Sequence, residues 1–430
     1  MSLRRPVWAL HVLIVGLALH NVVMALLWRA GVRGGALTVV SAWKDVLLLV
    51  ALVLVVRARG GLPFKGTLTD WLALAFGVLV VLYGVLPQSW LGGHATHKGV
   101  LYAVRHDLLP VGAYFLGRGL DITASERTRL CHTVLAVAAF VAAFGLIDVY
   151  AVPLSWWRPV GGWFHDQLGL QYFGLSDLPE NFVYNAGNGV VFRRLTSTFL
   201  SPLATAYLLV VALFFVRLRG RWGQALALLL LAALLVTHTR SALLALVGGL
   251  LVLALVRRSW RPLFFAVAVA VIGLAFFKGY DHIGPRTHFT KAELTQQEEN
   301  AKLHRGVSND ATSANEASAH EHWLALREGV HTVVHHPWGF GLGNSGVTAV
   351  RTHIKPKAGE STYTELGVEL GLLGALVFVA WSLSLLRVAL VRRPWFGAAF
   401  AAVLFLGLQT DVIGVPWIAV TVWALAADDA

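Results

Sequence analysis

Apolar segments long enough to cross a membrane recur along almost the whole chain. A membrane-spanning helix needs about 20 predominantly apolar residues. Such runs, each bounded by polar or charged residues, lie at about 7–28, 36–56, 68–86, 98–118, 128–150, 196–217, 222–239, 241–256, 261–279 and 361–386, and the run at 394–427 is long enough for two shorter spans. The sequence therefore predicts an all-α, polytopic membrane protein with about twelve transmembrane helices.

The composition excludes several other classes of protein. Hydrophobic residues make up 57% of the chain and charged residues only 13%, whereas a soluble domain carries roughly 25% charged residues. We therefore exclude a soluble enzyme, a disordered chain and a nucleic-acid-binding protein, although the net charge is +12. Membrane lipid is an expected partner and nucleic acid is not. Cys131 is the single cysteine, so no disulfide is expected.

The positive charges predict the orientation of the chain. Arg4 and Arg5 precede the first apolar run, which has no small-residue cleavage motif and is interpreted as a membrane helix rather than a signal peptide. Basic residues then fill every second connection: Arg57, Arg59, Lys65, Arg118, Arg127, Arg129, Arg217, Arg219, Arg221, Arg257, Arg258, Arg261, Arg387, Arg392 and Arg393. Because cytoplasmic loops of membrane proteins are rich in Lys and Arg, we expect both termini in the cytoplasm.

Two long connections then fall on the outer face, at about 151–195 and 280–360. The second contains nine of the seventeen histidines and is nearly neutral. Helices are expected there at 290–304 and 315–334. The second of these has an apolar stripe that would pack on the membrane domain, formed by Trp323, Leu324, Leu326, Val330, Val333 and Val334. The predicted organisation is spans one to nine at 1–279, an extracytoplasmic loop domain at 280–360, and spans ten to twelve at 361–430.

Ionisable residues inside the apolar runs, or at their edges, concentrate toward the outer face. They are Lys44, Asp45, Arg105, His106, Asp107, Asp148, Arg193, Arg194, His238, Arg240, Glu360 and Asp411. In one interpretation they form internal ion pairs, Lys44 with Asp45 or Asp107 and Arg105 with Asp148. We favour a second interpretation, a hydrated cavity that opens outward, because such residues usually face a cavity or a partner. Arg194 and Arg240 stand out, since a guanidinium binds phosphate oxygens bidentately.

Four motifs in a fixed order give the chain a family resemblance. They are RRLTSTFLSPLATAYLL (193–209), THTRSALLAL (237–246), HHPWGFGLGNSG (335–346) and ESTYTELGVELGLLG (360–374). Together they resemble the O-antigen ligase and O-antigen polymerase superfamily of multi-span glycosyltransferases. The number of runs and the large outer loop before the last three spans resemble that family too.

The resemblance implies a GT-C-like fold and an enzyme of the bacterial plasma membrane with its active site on the outer face. Such an enzyme moves a glycan from an undecaprenyl-pyrophosphate carrier to a sugar hydroxyl of a glycan or lipid-linked acceptor, without a cofactor or a metal. The family's two arginines correspond to Arg194, with Arg193 adjacent, and to Arg240. Its His-Asn pair is replaced here by Glu360-Ser361. The resemblance leaves ligase and polymerase open.

The chemistry assigns candidate roles to these residues. Displacing a pyrophosphate requires stabilisation of its growing negative charge, for which Arg194 and Arg240 are candidates. The acceptor hydroxyl requires a general base, for which Glu360 is the first candidate. The expected substrate-binding residues are Arg193, Lys44, Arg105, His238, His335, His336 and His353, of which the last three are also reserve candidates for the base.

Three alternatives accompany this hypothesis. His335 and His336 can instead end a helix before Pro337, because histidine interacts well with a helix C-terminus. A metal site on the histidines of the outer loop is disfavoured, since no carboxylate or cysteine completes a ligand set. A transporter or flippase is the rival function, but it would place charges near the membrane midplane in two related halves, which this sequence does not show.

Overall fold

The structure, a computed structural model, describes residues 6–170, 178–187, 190–288, 295, 317–357 and 359–428. Its helices are α1 (Val7–Arg29), α2 (Gly34–Ser41), α3 (Trp43–Arg59), α4 (Leu68–Val85), α5 (Gln88–Leu91), α6 (His97–Leu120), α7 (Ala124–Ala151), α8 (Pro202–Leu213), α9 (Gly220–Val236), α10 (Arg240–Arg257), α11 (Trp260–Ile283), α12 (Ala317–His335), α13 (Gly346–Arg351), α14 (Thr362–Arg392), α15 (Pro394–Leu406) and α16 (Pro416–Ala427). The structure is 77% helical, which agrees with the predicted all-α class. The helix expected at 290–304 lies outside the described residues, apart from Thr295.

Seven helical segments in the described part of the chain are long and apolar enough to cross a membrane. They are α1, α2 with α3, α4, α7, α10, α11 and α14. Four further apolar helices, α8, α9, α15 and α16, are shorter, and α6 has 24 residues but carries Lys98, Arg105, Asp107 and Arg118. The predicted class of polytopic membrane protein therefore agrees with these helices, whereas the predicted number of about twelve spans is not confirmed.

A small antiparallel sheet, which the sequence did not predict, precedes α8. Strand β1 (Val183–Gly187) pairs with β2 (Val190–Arg193), and β2 pairs with β3 (Arg286–Thr287), which directly follows α11. The connections before α8 and after α11 therefore meet at one end of the bundle. We call the end of the bundle that carries residues 317–357 the loop side.

Close contact between helix backbones fixes the centre of the bundle. Helix α6 packs along α16 and α4, and α10 packs against α15 and α11. A Cβ added at Gly117 of α6 would lie 2.0 Å from the Ala424 carbonyl oxygen of α16. The two helices can approach this closely only because residue 117 has no side chain.

Helix α14 is broken at Gly371. The third motif (335–346) packs against α14 at this break. Gly371 has a φ of 73°, a conformation that glycine adopts without strain. The N–H of Leu372 donates to the Pro337 carbonyl (2.8 Å), and the N–H of Phe340 donates to the Val368 carbonyl (2.7 Å). The third and fourth motifs are thus joined through backbone hydrogen bonds.

The outer-loop helix predicted at 315–334 is confirmed as α12, which packs on α14. The contact runs through Gly329 and Val333, which lie against Thr364 and Gly367. The predicted stripe is only partly right, because most of it remains exposed: Trp323, Leu324, Val330 and Val334. Small residues rather than the large apolar ones form the contact, since they let the two helices approach closely.

Candidate functional site

The first two motifs meet at a turn between α9 and α10. After β2, the N–H of Arg194 donates to the Phe182 carbonyl (2.9 Å), and the N–H of Leu195 donates to the Val236 carbonyl at the end of α9 (3.0 Å). These bonds place the Arg194 side chain beside the turn Thr237–Thr239, after which α10 begins at Arg240.

Arg194 binds this turn directly. Its Nε donates to the Thr237 carbonyl (2.9 Å), and its Nη2 donates to Thr239 Oγ1 (3.2 Å). Arg240 is the first residue of α10, where the helix dipole favours a bound anion. The structure therefore brings the two predicted arginines together on one turn.

His238 lies between these arginines with its ring packed among aromatic side chains. The ring centroids of Tyr184 and Tyr280 lie 4.1 Å and 4.6 Å from that of His238. Burial, together with the positive charges of Arg194 and Arg240, lowers the pKa of His238 to about 2. His238 is consequently neutral, and the positive charge beside it belongs to Arg194 and Arg240.

Arg193 has a different environment from Arg194. Its Nη2 lies 3.1 Å from Asp148 Oδ2, its Nη1 donates to the Asp148 and Val152 carbonyls, and Tyr280 donates to its backbone carbonyl (2.7 Å). Trp157 donates to the second oxygen of Asp148 (2.8 Å). Arg193 therefore anchors the strand in front of Arg194.

The ion pairs expected from the sequence were assigned to the wrong partners. Asp148 pairs with Arg193 rather than with Arg105, since Arg105 binds Asp45 through Nε (2.9 Å) and Nη2 (2.8 Å). Lys44 is buried, and its Nζ contacts the Ser41 carbonyl (2.9 Å) and His20 Nε2 (3.3 Å) rather than a carboxylate. The sequence does not show which helices are neighbours in the bundle, and the partner of each charge depends on that.

Glu360 lies just before α14 and connects it to the loop helix. Its carboxylate is 2.8 Å from His322 Nδ1 of α12, and the two side chains are 43% and 47% exposed. The carboxylate is thus held at the surface rather than inside the bundle.

The three remaining predicted histidines lie on the loop side. His335 ends α12, and its Nδ1 lies 2.9 Å from the His331 carbonyl. His336 Nε2 lies 3.0 Å from the Leu91 carbonyl. The His335 contact favours the helix-end interpretation, whereas His336 contacts another helix, α5. His353 is exposed in a turn with a φ of 60°.

One further cluster of ionisable side chains was not selected as a site from the sequence. His106, Asp107, Glu365, Glu369 and Asp411 line one cavity with Ser345 and Thr362. Glu365 and Glu369 lie four residues apart in the fourth motif, which places both on one face of a helix. That spacing, in an otherwise apolar run, was the available signal.

The glycine-rich third motif binds this cluster. The N–H groups of Gly343 and Ser345 donate to Glu369 Oε1 at 3.0 Å and 3.1 Å. Its glycines thus form a turn around a carboxylate of the protein. In the part of the chain that the structure describes, no three His, Cys, Asp or Glu side chains are arranged to hold a metal ion.

These helices and this charged loop side define a polytopic, helical membrane protein. Residues 225–379, which contain three of the four motifs, match the family model described as O-antigen ligase. The match supports the assignment of the chain to the O-antigen ligase and polymerase superfamily, as the motifs predicted. No curated protein matches the chain significantly. The helices thus indicate a multi-pass membrane protein, and the matched segment is similar to the O-antigen ligase family.

Proposed function

We propose that this protein transfers a glycan from an undecaprenyl-pyrophosphate carrier to an acceptor sugar hydroxyl at the outer face of the membrane, with both termini in the cytoplasm. One observation supports this proposal most strongly. Arg194 binds Thr237 and Thr239, the residues of the turn directly before Arg240, where α10 begins. Two guanidinium groups and a helix N-terminus at one place favour a pyrophosphate.

The chemistry requires such a site. When the anomeric carbon leaves the pyrophosphate, negative charge grows on the leaving oxygen, and fixed positive groups that are already in place lower the barrier. The positive charges of Arg194 and Arg240, which add to the effect of burial on the pKa of His238, would stabilise this charge. Arg193 enters the proposal as a positioning residue, because its bonds to Asp148 fix the strand that carries Arg194.

On the acceptor side, Glu360 and His322 form an exposed pair that can bind sugar hydroxyl groups. The role of Glu360 as the general base remains a prediction from the sequence, as do contacts of Lys44, Arg105 and the histidines of the loop side with substrate.

Ligases and polymerases share the donor and differ in the acceptor. An assay that offers both a lipid-linked glycan and a lipid-A core therefore distinguishes the two reactions.

The test is transfer by the purified protein in vesicles, with an undecaprenyl-pyrophosphate-linked glycan as donor. Arg194→Ala and Arg240→Ala should each lower kcat by about 10²–10³-fold, as loss of one transition-state donor does elsewhere. Arg257→Ala, at the opposite end of the same helix as Arg240 and exposed, is the matched control and should retain transfer.

Two outcomes would contradict the proposal. Full transfer by both arginine variants would show that the turn does not bind the donor. Movement of the lipid-linked glycan across the vesicle membrane, without formation of a glycosidic bond, would identify the rival transporter.

A further inference from the structure

Five ionisable side chains on the loop side surround a single small cavity. His106 and Asp107 belong to α6, Glu365 and Glu369 to α14, and Asp411 to the connection between α15 and α16. The volume of the cavity is about 10 Å³, close to the smallest space that holds one water molecule. The cavity is therefore too small for a sugar, but it can hold one water molecule, through which a proton can pass.

An imidazole connects two of the carboxylates. Nδ1 of His106 lies 2.7 Å from Asp107 Oδ1, and its Nε2 lies 2.7 Å from Asp411 Oδ2. A ring with a carboxylate at each nitrogen can receive a proton on one side as it releases another on the opposite side. The three side chains therefore form a continuous path for a proton.

The inner end of this path has an unused acceptor. Asp107 is 1% exposed and lines the cavity, and its Oδ2 has no hydrogen-bond partner among the described residues. A buried carboxylate oxygen without a donor is costly, so a water molecule or a proton is expected there. Glu369 differs, because the glycine turn donates to its Oε1.

The outer end of the path is partly open. The side chains of His106 and Asp411 are 25% and 13% exposed, and Asp411 Oδ1 lies 3.4 Å from Thr362 Oγ1 at the start of α14. Thr362 follows Glu360 by two residues. The outer end of the path therefore lies next to the residue proposed for the acceptor side.

We propose that Asp411, His106 and Asp107 form a proton relay, in which Asp411 accepts the proton of the acceptor hydroxyl; this inference rests on the proposed function. As the acceptor oxygen bonds to the anomeric carbon, the bond from that carbon to the pyrophosphate oxygen breaks, and its electron pair leaves with the pyrophosphate. The hydroxyl proton passes to Asp411. His106 gives its Nδ1 proton to Asp107, and its Nε2 accepts the proton that Asp411 gained.

The surrounding charges suit this role. Four carboxylates and one imidazole cannot all be ionised around a cavity of this size, because like charges in near contact share protons. The cluster therefore holds protons on its carboxylates at neutral pH and exchanges them internally. Arg105, the next charged residue on α6, is already paired with Asp45.

The experiment compares Asp411→Asn, His106→Gln and Asp107→Asn in the vesicle assay. Each should lower kcat by about 10²-fold or more, the contribution of a general base, with little change in the KM of the donor. Part of the loss should be recovered at alkaline pH. Asp121→Asn makes the same chemical change just after the far end of α6 and should retain transfer.

Infrared spectroscopy supplies a readout that does not depend on transfer. The wild-type protein at neutral pH should show the carbonyl band of protonated carboxyl groups, and Glu365→Gln combined with Glu369→Gln should diminish it. An unchanged band would overturn the relay, as would undiminished kcat in folded Asp411→Asn. If kcat falls only in Glu360→Gln, Glu360 is the base and the relay is wrong. Absence of transfer by the wild type would instead overturn the proposed function itself.

Discussion

Arg193→Ala is expected to destabilise the fold, whereas Arg194→Ala is expected to leave the fold intact and remove transfer. The Arg193 guanidinium is buried against Asp148 and two carbonyl oxygens. Its removal leaves the Asp148 carboxylate with only the Trp157 donor in a buried site. Breaking a buried ion pair from one side costs about 3–5 kcal/mol.

For a chain of this size, that loss corresponds to a decrease in Tm of roughly 6–10 °C, taking about 2 °C per kcal/mol. Arg194 is only partly buried and bonds to a backbone carbonyl and a threonine hydroxyl. Its replacement should cost about 1.5–3 kcal/mol, the value of a hydrogen bond from a charged group.

The assay is the thermal unfolding of detergent-solubilised variants, followed by size exclusion and fluorescence. The double variant Asp148→Asn with Arg193→Gln should recover part of the loss, because it leaves no uncompensated charge. A Tm of Arg193→Ala equal to that of the wild type, or a double variant with strictly additive losses, would refute the assignment of Arg193 as an anchor.

Three further predictions concern the turn, the bundle and the loop side. His238→Asn keeps a residue type that tolerates the φ of 52° and removes a group whose pKa falls from 6.5 to about 2 on folding. The unfolded wild-type chain binds this proton below pH 6.5, and the folded chain does not. The free energy of unfolding of the wild type should therefore fall by about 1.4 kcal/mol for each pH unit below 6.5. As the pH is lowered, Tm should decline less steeply in the variant. Gly117→Ala should destabilise the bundle by about 1–3 kcal/mol or more through the contact with the Ala424 carbonyl, whereas Gly248→Ala, which meets no atom within 4 Å, should leave Tm unchanged or higher. Glu360→Gln should change stability by less than about 1 kcal/mol, as expected for an exposed pair, while raising the KM of the acceptor; an unchanged KM would exclude Glu360 from the acceptor site.

Much of the fold follows from the chain itself. The length of the apolar runs predicts helices at almost all the positions where they occur, including the break between Leu406 and Pro416. The small sheet was not predicted, because its strands are short and β3 pairs with a segment more than 90 residues earlier in the chain. Short strands carry little periodic signal, and their pairing depends on which connections meet in space.

The candidate site, like the fold, was inferred partly from the sequence and partly only from the tertiary structure. The sequence by itself determined the class of protein, the family resemblance and the choice of Arg194 and Arg240 as candidates, since these depend on composition and on motifs that are local in the chain. Only the tertiary structure decided that Arg193 is an anchor and that His106, Asp107, Glu365, Glu369 and Asp411 share one cavity. The physical reason is that the role of a charge in a bundle depends on its partner. These partners come from separate parts of the chain: the cavity is lined from α6, α14 and the connection between α15 and α16, and the Asp148 partner of Arg193 lies on α7.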